Sequence, residues 1–483
     1  MEYKCKYEMF KADEEKAKRN SNKDKKHEFR TKFERDRDRI LYSKAFRRLS
    51  GKTQVFVTGH EDHIRTRLTH TLEVSQIATT IASYFGLDIA LTEAISLGHD
   101  IGHTPFGHEG ERILNSIMNG CEGIKEFNKN MPNEEKGFKH NWQSLRVLMQ
   151  LEKKNEDYNG LNLTNYTLWG ILNHSKLEWD ECENKLKINF YRKNSNDFIN
   201  KIINNENNKS WTFEGLIVRQ ADEIAQRHHD SEDGIIANLI DKKELIEKFK
   251  ECFGSTELYN SKKYKYRQLV NKIKKNTNNE YYLPLLSRLI VDFLAMNLIS
   301  NTEENFKHLL SKYKTEKDFY ANKLKIYNNK EDIFKIVDYN KNFSKQEKDF
   351  KKYLKNRVLN SFIAQSMDGK SNYIIKRLFK AYLSNPQQLP DKTIISFYNN
   401  YNENIFNSYI NKKGELPSTA ILVGNLRNEL KTDHSKNYNN NEYKCSLLRT
   451  ICDYISGMTD NFALNQYELL YGTRQRELRE FNL

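Results

Sequence analysis

Apolar residues in this chain recur mostly at steps of three and four, the spacing of one face of an α-helix. In RTRLTHTLEVSQIATTIASYFG (65–86), His70, Val74, Ile77 and Ile81 fall at +4, +3 and +4, so a histidine shares the buried face. In DIALTEAISLGHDIGHTPFGHEGERIL (88–114) the helical pattern runs to His99–Asp100. Gly102, Pro105 and Gly107 then force a turn, and another helix starts near Gly107. In SWTFEGLIVRQADEIAQRHHDSEDGI (210–235), Val218, Asp222, Ala225 and His229 line one face, which puts a carboxylate on an apolar stripe. LPLLSRLIVDFLAMNLI (283–299) is helical as well, and LLRTICDYISGMTDNFALNQYELL (447–470) reads as one amphipathic helix returning to the core. NPQQLPD (385–391) is the clearest loop, because proline disfavours helix at and before itself. The expectation is an all-α protein without internal repeats.

Composition agrees with that reading. With 20 glycines and 6 prolines, long helices meet few interruptions, and 12% aromatic residues can fill an interior. The sequence divides into a charged N-terminal arm or surface helix (1–35), an informative core (36–240), a Lys/Asn/Tyr-rich helical region (241–420) and C-terminal helices packing back on the core (421–483). A net charge of +14 suits polyanionic partners, and equally suits a solvated basic surface, because the charge is spread along the chain. Cys5, Cys121, Cys182, Cys252, Cys445 and Cys452 are scattered without a CxxC, as in reduced cytoplasmic thiols. The N-terminus lacks the apolar core of a signal peptide, and no run reaches the roughly 20 apolar residues of a membrane span. The expectation is a soluble cytoplasmic protein with no membrane partner.

The chemistry concentrates in LGHDIGHTPFGHEGE (97–111). Adjacent His99 and Asp100 at a helix end can both reach one cation. His108 and Glu111 stand at i,i+3, neighbours on a first helical turn, where a carboxylate fixes an imidazole's tautomer and makes it a usable general acid. A lone His70 on an apolar face is ordinarily a hydrogen-bonded core residue. A buried Asp222 needs either an arginine or a cation. Taken together, His70, His99, Asp100 and Asp222 offer two imidazoles and two carboxylates from separate helices. That set suits Mn, Mg, Fe, Co or Zn, with positions left open for catalysis.

This H…HD…D arrangement resembles the HD-domain phosphohydrolases. FERDRDRILYSKAFRRLSGKTQVF, RTRLTHTLEVSQIA, LGHDIGHTPFGHEGE, FKHNWQSLR, ADEIAQRHHDSEDG and DYISGMTDNFALNQYELL together resemble the deoxyguanosine triphosphate triphosphohydrolase family. The resemblance spans about residues 33 to 240 plus the C-terminal helix, with a weaker echo in IIKRLFKAYLSNPQQLP. It implies an HD-domain helical core with a helical insertion and C-terminal helices. It assigns His70, His99, Asp100 and Asp222 to a divalent metal, with Mn or Mg the expected assay ions.

The same resemblance makes His108, supported by Glu111, the catalytic pair. It sets His103 and His140 beside the phosphates, Arg67 on the phosphates, and Gln54 and Asp230 near the sugar 3′-hydroxyl. Gln226 stands where many relatives carry a tyrosine against the sugar. The implied activity is dNTP triphosphohydrolysis, with dGTP preferred and yielding deoxyguanosine and inorganic triphosphate. An HD phosphohydrolase acting on another nucleotide or a nucleic-acid end is one alternative. A nucleotide or single-stranded DNA sensor with weak turnover is another. A homo-oligomer (dimer-based, tetramer or hexamer) and a nucleotide or single-stranded DNA effector are also implied.

Overall fold

The computed structural model describes residues 7–54, 65–121, 136–177, 210–327, 333–410, 416–436 and 440–472, apart from positions 154 and 277. Cys5, Cys182 and the NNENNK tract lie outside the described residues. Helices dominate as the spacing predicts. Among the described residues there is no strand, only three isolated bridges.

Six helices build the half of the molecule that carries most of the charged histidine-rich segments. They are α1 (Lys32–Leu41), α2 (Arg67–Phe85), α3 (Ile89–Gly98), α4 (Gly107–Met118), α5 (His140–Arg146) and α6 (Asn165–Asn173). The long α7 (Phe213–Ile236) runs through their midst and packs on α2, α3 and α6. Its ends are set by Thr212, whose hydroxyl accepts from Gly215 N–H, and by the turn at Ala237. Farther along come α8 (Asn279–Lys312) and α9 (Lys341–Val358), both against α7, then α10 (Phe362–Ser384), which packs on α4.

The predicted single helix over 447–470 is two, α11 (Asn441–Ser456) and α12 (Asp460–Tyr471). The break falls at Gly457-Met458-Thr459, where the Thr459 hydroxyl caps α12 by accepting from Phe462 N–H at 3.3 Å. A threonine three residues before an apolar run is a start signal that overrides a continuous apolar period.

Two apolar clusters make the core, and they cut across the compositional boundaries at 240 and 420. One runs from Tyr7 to Ala364 and includes α1–α3, α6–α9. The other joins Phe106 and α4 to α10, α11 and α12. Residues 7–31 do not stand off as a charged arm or surface helix. Tyr7 and Phe10 are buried, and Phe10 packs its ring on Phe213, Phe306 and Phe319. Each such ring contributes roughly 1.5–3 kcal/mol by leaving water, which helps anchor the segment to the core.

The apolar run in α8 also exceeds the sequence reading. Glu280–Lys312 is long and apolar enough, by length and composition, to cross a membrane. Here it lies along α7 and buries Leu286, Leu289, Ile290, Phe293 and Leu294 in the first cluster, so its apolarity serves the core. Cys121, Cys252 and Cys452 are free thiols.

Candidate active site

His70 sits one turn into α2, His99 and Asp100 follow the end of α3, and Asp222 faces them from the middle of α7. His70 Nε2 is 3.1 Å from Asp222 Oδ1 and 3.9 Å from Asp100 Oδ2. His99 Nε2 is 3.5 Å from Asp100 Oδ1 and 4.0 Å from Asp222 Oδ1. All four side chains are buried. Both Nε2 atoms lack an aligned hydrogen-bond partner although water cannot reach them. His99 Nδ1–H donates to the Ser96 carbonyl at 2.6 Å, which leaves its Nε2 as a lone pair.

Burial pushes both aspartates up. For Asp100 the neighbouring His99, His103 and Arg67 outweigh it, and for Asp222 the contacts with His70 and His99 do, holding both carboxyls below the usual range. Ligands about 2.1 Å from a shared ion stand roughly 3–3.5 Å from one another. Two orphaned nitrogens and two carboxylates at 3.1–4.0 Å fit a divalent cation once drawn in slightly, and the ligand atoms of His70, His99 and Asp100 all lie within 4.8 Å of one another.

Around this centre lies a shelf of donors. Arg67 Nη1 donates to Asp100 Oδ2 at 2.6 Å, while its Nε and Nη2 are buried without an acceptor. Gln54 lies close by, and its buried Oε1 is likewise unpartnered. His103 Nε2 is 3.2 Å from Asp100 Oδ1, and its ring stacks on His140 at 3.8 Å. Burial, aided by Arg67 and His140, depresses the pKa of His103 against the pull of Asp100, so the ring is neutral at pH 7.

Glu111 is shared more widely than the sequence suggests. Both its oxygens are 3.0 Å from His140 Nδ1, Oε1 accepts from His140 N–H at 3.0 Å, and Lys139 Nζ lies at 3.4 Å. His108 Nδ1 is 3.4 Å away, with 63% of its side chain exposed at the mouth. Burial raises Glu111, but His140, His108 and Lys139 keep it well below its ordinary value. An unbroken series of ring contacts runs from His228 through His229, His70, His99, His174, His140 and His103 to His108.

Gln226 and Asp230, expected near the sugar, lie on α7 beyond Asp222. Gln226 Nε2 donates to Asp222 Oδ1 at 3.2 Å, so its amide is engaged with a candidate metal ligand one helical turn away. Asp230 lies eight residues along α7, about 12 Å by helix rise. Burial, with Asp233 and Glu223 nearby, raises it to about 6 against Arg227 and Lys351. Among the described residues no hydrogen bond or ion pair ties Asp230 to the other site groups.

The turn that carries the motif is held from far away in the chain. Phe106 and Gly107 both have φ of 61°, a left-handed pair at the start of α4, unusual for phenylalanine. Asp460, fully buried at the N-terminus of α12, accepts from Phe106 N–H at 2.9 Å, from Thr53 N–H at 2.9 Å and from the Thr53 hydroxyl. Lys52 Nζ donates to the carbonyls of His103 and Ser456. A Cβ on Gly102 would come within 2.2 Å of His140 O and Ser144 N, so only glycine lets α5 approach and deliver His140.

Sequence reading missed His174, Asp460, Lys52 and the Glu73–His229 pair. His229 did show itself on the stripe of Asp222, and Thr459-Asp460 carried a helix-start signal. Nothing in LNHS marked His174.

An all-helical site with a histidine, a His–Asp pair and a distant aspartate defines the HD class of phosphohydrolases. The HD domain model matches residues 67–243, and the phosphohydrolase-associated domain matches 337–403 and 419–469. The chain is similar to the deoxyguanosinetriphosphate triphosphohydrolase-like proteins of Rickettsia felis and Rickettsia rickettsii, each 34% identical with 92% of both chains covered. It is also 34% identical to that of Rickettsia canadensis, covering 92% of this chain and 94% of the relative. The chain belongs to the deoxyguanosinetriphosphate triphosphohydrolase-like family of HD-domain phosphohydrolases.

Proposed function

We propose that this chain is a metal-dependent deoxynucleoside triphosphate triphosphohydrolase that prefers dGTP and releases deoxyguanosine and inorganic triphosphate. The observation that carries the reading is the convergence of two orphaned imidazole nitrogens and two carboxylates on one buried point beside an arginine with free N–H groups. The names of the relatives support the nucleotide class. A divalent ion held by His70, His99, Asp100 and Asp222 would supply Lewis-acid polarisation of an α-phosphate oxygen and a more acidic water.

The chain's own groups do the rest. Arg67 directs its unpaired Nε and Nη2 at phosphate oxygens, a rigid fork suited to them. Neutral His103 and His140 line the same wall. His108, at the mouth, hands a proton to the departing 5′-oxygen as water attacks the α-phosphorus and the phosphorus–O5′ bond breaks. The water's oxygen leaves with the triphosphate. Glu111 accepts from the other nitrogen of His108 and steadies the imidazolium. Gln54, beside Arg67, offers a buried oxygen to a sugar hydroxyl. Asp230 and Gln226 are placed near the sugar on the family resemblance alone.

Incubation with each dNTP and NTP plus Mn or Mg, with products resolved by ion-exchange chromatography, tests the reading. Intact triphosphate from dGTP is the expected product. Release of orthophosphate or pyrophosphate, or turnover of a monophosphate or an oligonucleotide end alone, would replace it with another HD chemistry. Homo-oligomer formation and a response to nucleotide or single-stranded DNA rest on the family resemblance. Light scattering with and without those ligands reads both.

A further inference from the structure

Behind His70 lies a chain of groups that the scheme above does not use. His70 Nδ1 is 3.3 Å from His229 Nδ1, and His229 Nε2 is hydrogen-bonded to Glu73 Oε2. The two rings meet edge to face at 5.1 Å, and both are 1% exposed, so neither nitrogen can turn to water for a partner. Two Nδ1 atoms facing each other bond only if one bears a proton and the other a lone pair. A carboxylate can only accept, so Glu73 takes the N–H of His229 at Nε2. A neutral His229 then has a lone pair left at Nδ1, which accepts from His70 Nδ1–H. In a neutral His70 the proton at Nδ1 leaves Nε2 as a lone pair facing Asp222 and Asp100. This is the proton arrangement that satisfies every inner contact and still leaves Nε2 free, matching its orphaned state.

We propose that Glu73 and His229 are positioning residues that lock His70 in its Nδ1–H tautomer and so set the metal affinity of the centre. The pair reaches the centre from two helices already present. Glu73 stands three residues after His70 on α2, and His229 seven after Asp222 on α7, so each donor helix brings one ligand and one member of its support. Arg65 holds Glu73 in turn, at 3.4 Å, and also pairs with Asp233 at 2.8 Å and with Glu232. Supports of this kind typically change metal affinity 10- to 100-fold when removed.

The inference rests on the metal reading of the four donors, and the test separates the two. Mn²⁺ and Zn²⁺ affinities are measured by chelator competition on the full chain, for wild type and for Glu73→Leu, Glu73→Gln and His229→Phe. Histidine ¹⁵N shifts of the wild-type apoprotein are read alongside, and they need no variant to fold. The expected result is a 10- to 100-fold weaker Kd in Glu73→Leu and His229→Phe. Glu73→Gln should lose less, because its carbonyl can still accept. His70 should be protonated at Nδ1 and His229 at Nε2. A wild-type Kd unchanged within twofold in folded Glu73→Leu and His229→Phe would overturn the inference while leaving the metal reading intact. So would a His70 proton on Nε2 or a doubly protonated His229. Absence of metal binding by the wild type itself would instead sink the reading beneath it.

Discussion

Replacing Asp460 by alanine tests whether the distant helix α12 governs the catalytic turn. The substitution deletes one carboxylate and strands three buried donors, Phe106 N–H, Thr53 N–H and the Thr53 hydroxyl. Hydrogen bonds to an ionised acceptor are each worth about 1.5–3 kcal/mol net, and they are not additive within one network. Breaking a buried charged network from one side costs about 3–5 kcal/mol, a large part of an ordinary folding free energy. The loss also frees Phe106 from its left-handed backbone, and the first turn of α4 swings with it. Since His108 and Glu111 ride on that turn, a displacement near 1 Å should lower kcat about 100-fold.

The metal donors come from α2, α3 and α7, so metal content should hold. Urea denaturation followed by far-UV circular dichroism gives the stability, elemental analysis gives the metal, and triphosphate release at saturating substrate gives kcat. Asp460→Asn, with one oxygen kept, should fall between. A stability change under about 1 kcal/mol together with kcat within twofold of wild type would refute the reasoning.

His108→Ala should keep its metal but turn over ~10²–10⁴-fold more slowly, and near-normal kcat would remove its role as the acid. Asp222→Ala should abolish stoichiometric metal binding, because it removes a donor lying 3.1 Å from His70 Nε2, and elemental analysis checks it. Glu214 is fully buried, and burial, with Asp88 adding, raises it to about 7 despite the N–H groups of Ala12 and Asp88 on Oε1. Its unfolded counterpart ionises near 4.5, so the wild type should lose up to about 3 kcal/mol between pH 4.5 and 7 as the unfolded chain sheds that proton first. Glu214→Gln keeps an oxygen for both donors and should flatten that part of the profile, as denaturation at pH 5 and pH 7 will tell.

The helices around the site were legible because their apolar period is regular and the Gly102–Gly107 turn interrupts it. The meeting of His70 and Asp222 with the His99–Asp100 pair was legible because an acid or histidine on an apolar stripe needs a reason to be there. What escaped were contacts set only by tertiary approach. Glu111 is drawn toward His140 because Gly102 lets α5 come close. Gln226 meets Asp222 because the helix places it one turn away. The break before Asp460 hid inside an apolar period that looked continuous.

That break sets an order of events. Phe106 and the aspartate that holds it are 354 positions apart in the chain. A ribosome adding about 5–20 residues per second needs roughly 20–70 s to pass from one to the other. Throughout that interval a nascent polypeptide has His70, His99, Asp100 and, later, Asp222, yet lacks the carboxylate that holds Phe106 at the start of α4. Under the proposed function, catalytic competence therefore arrives late in translation, once Asp460 has joined the fold.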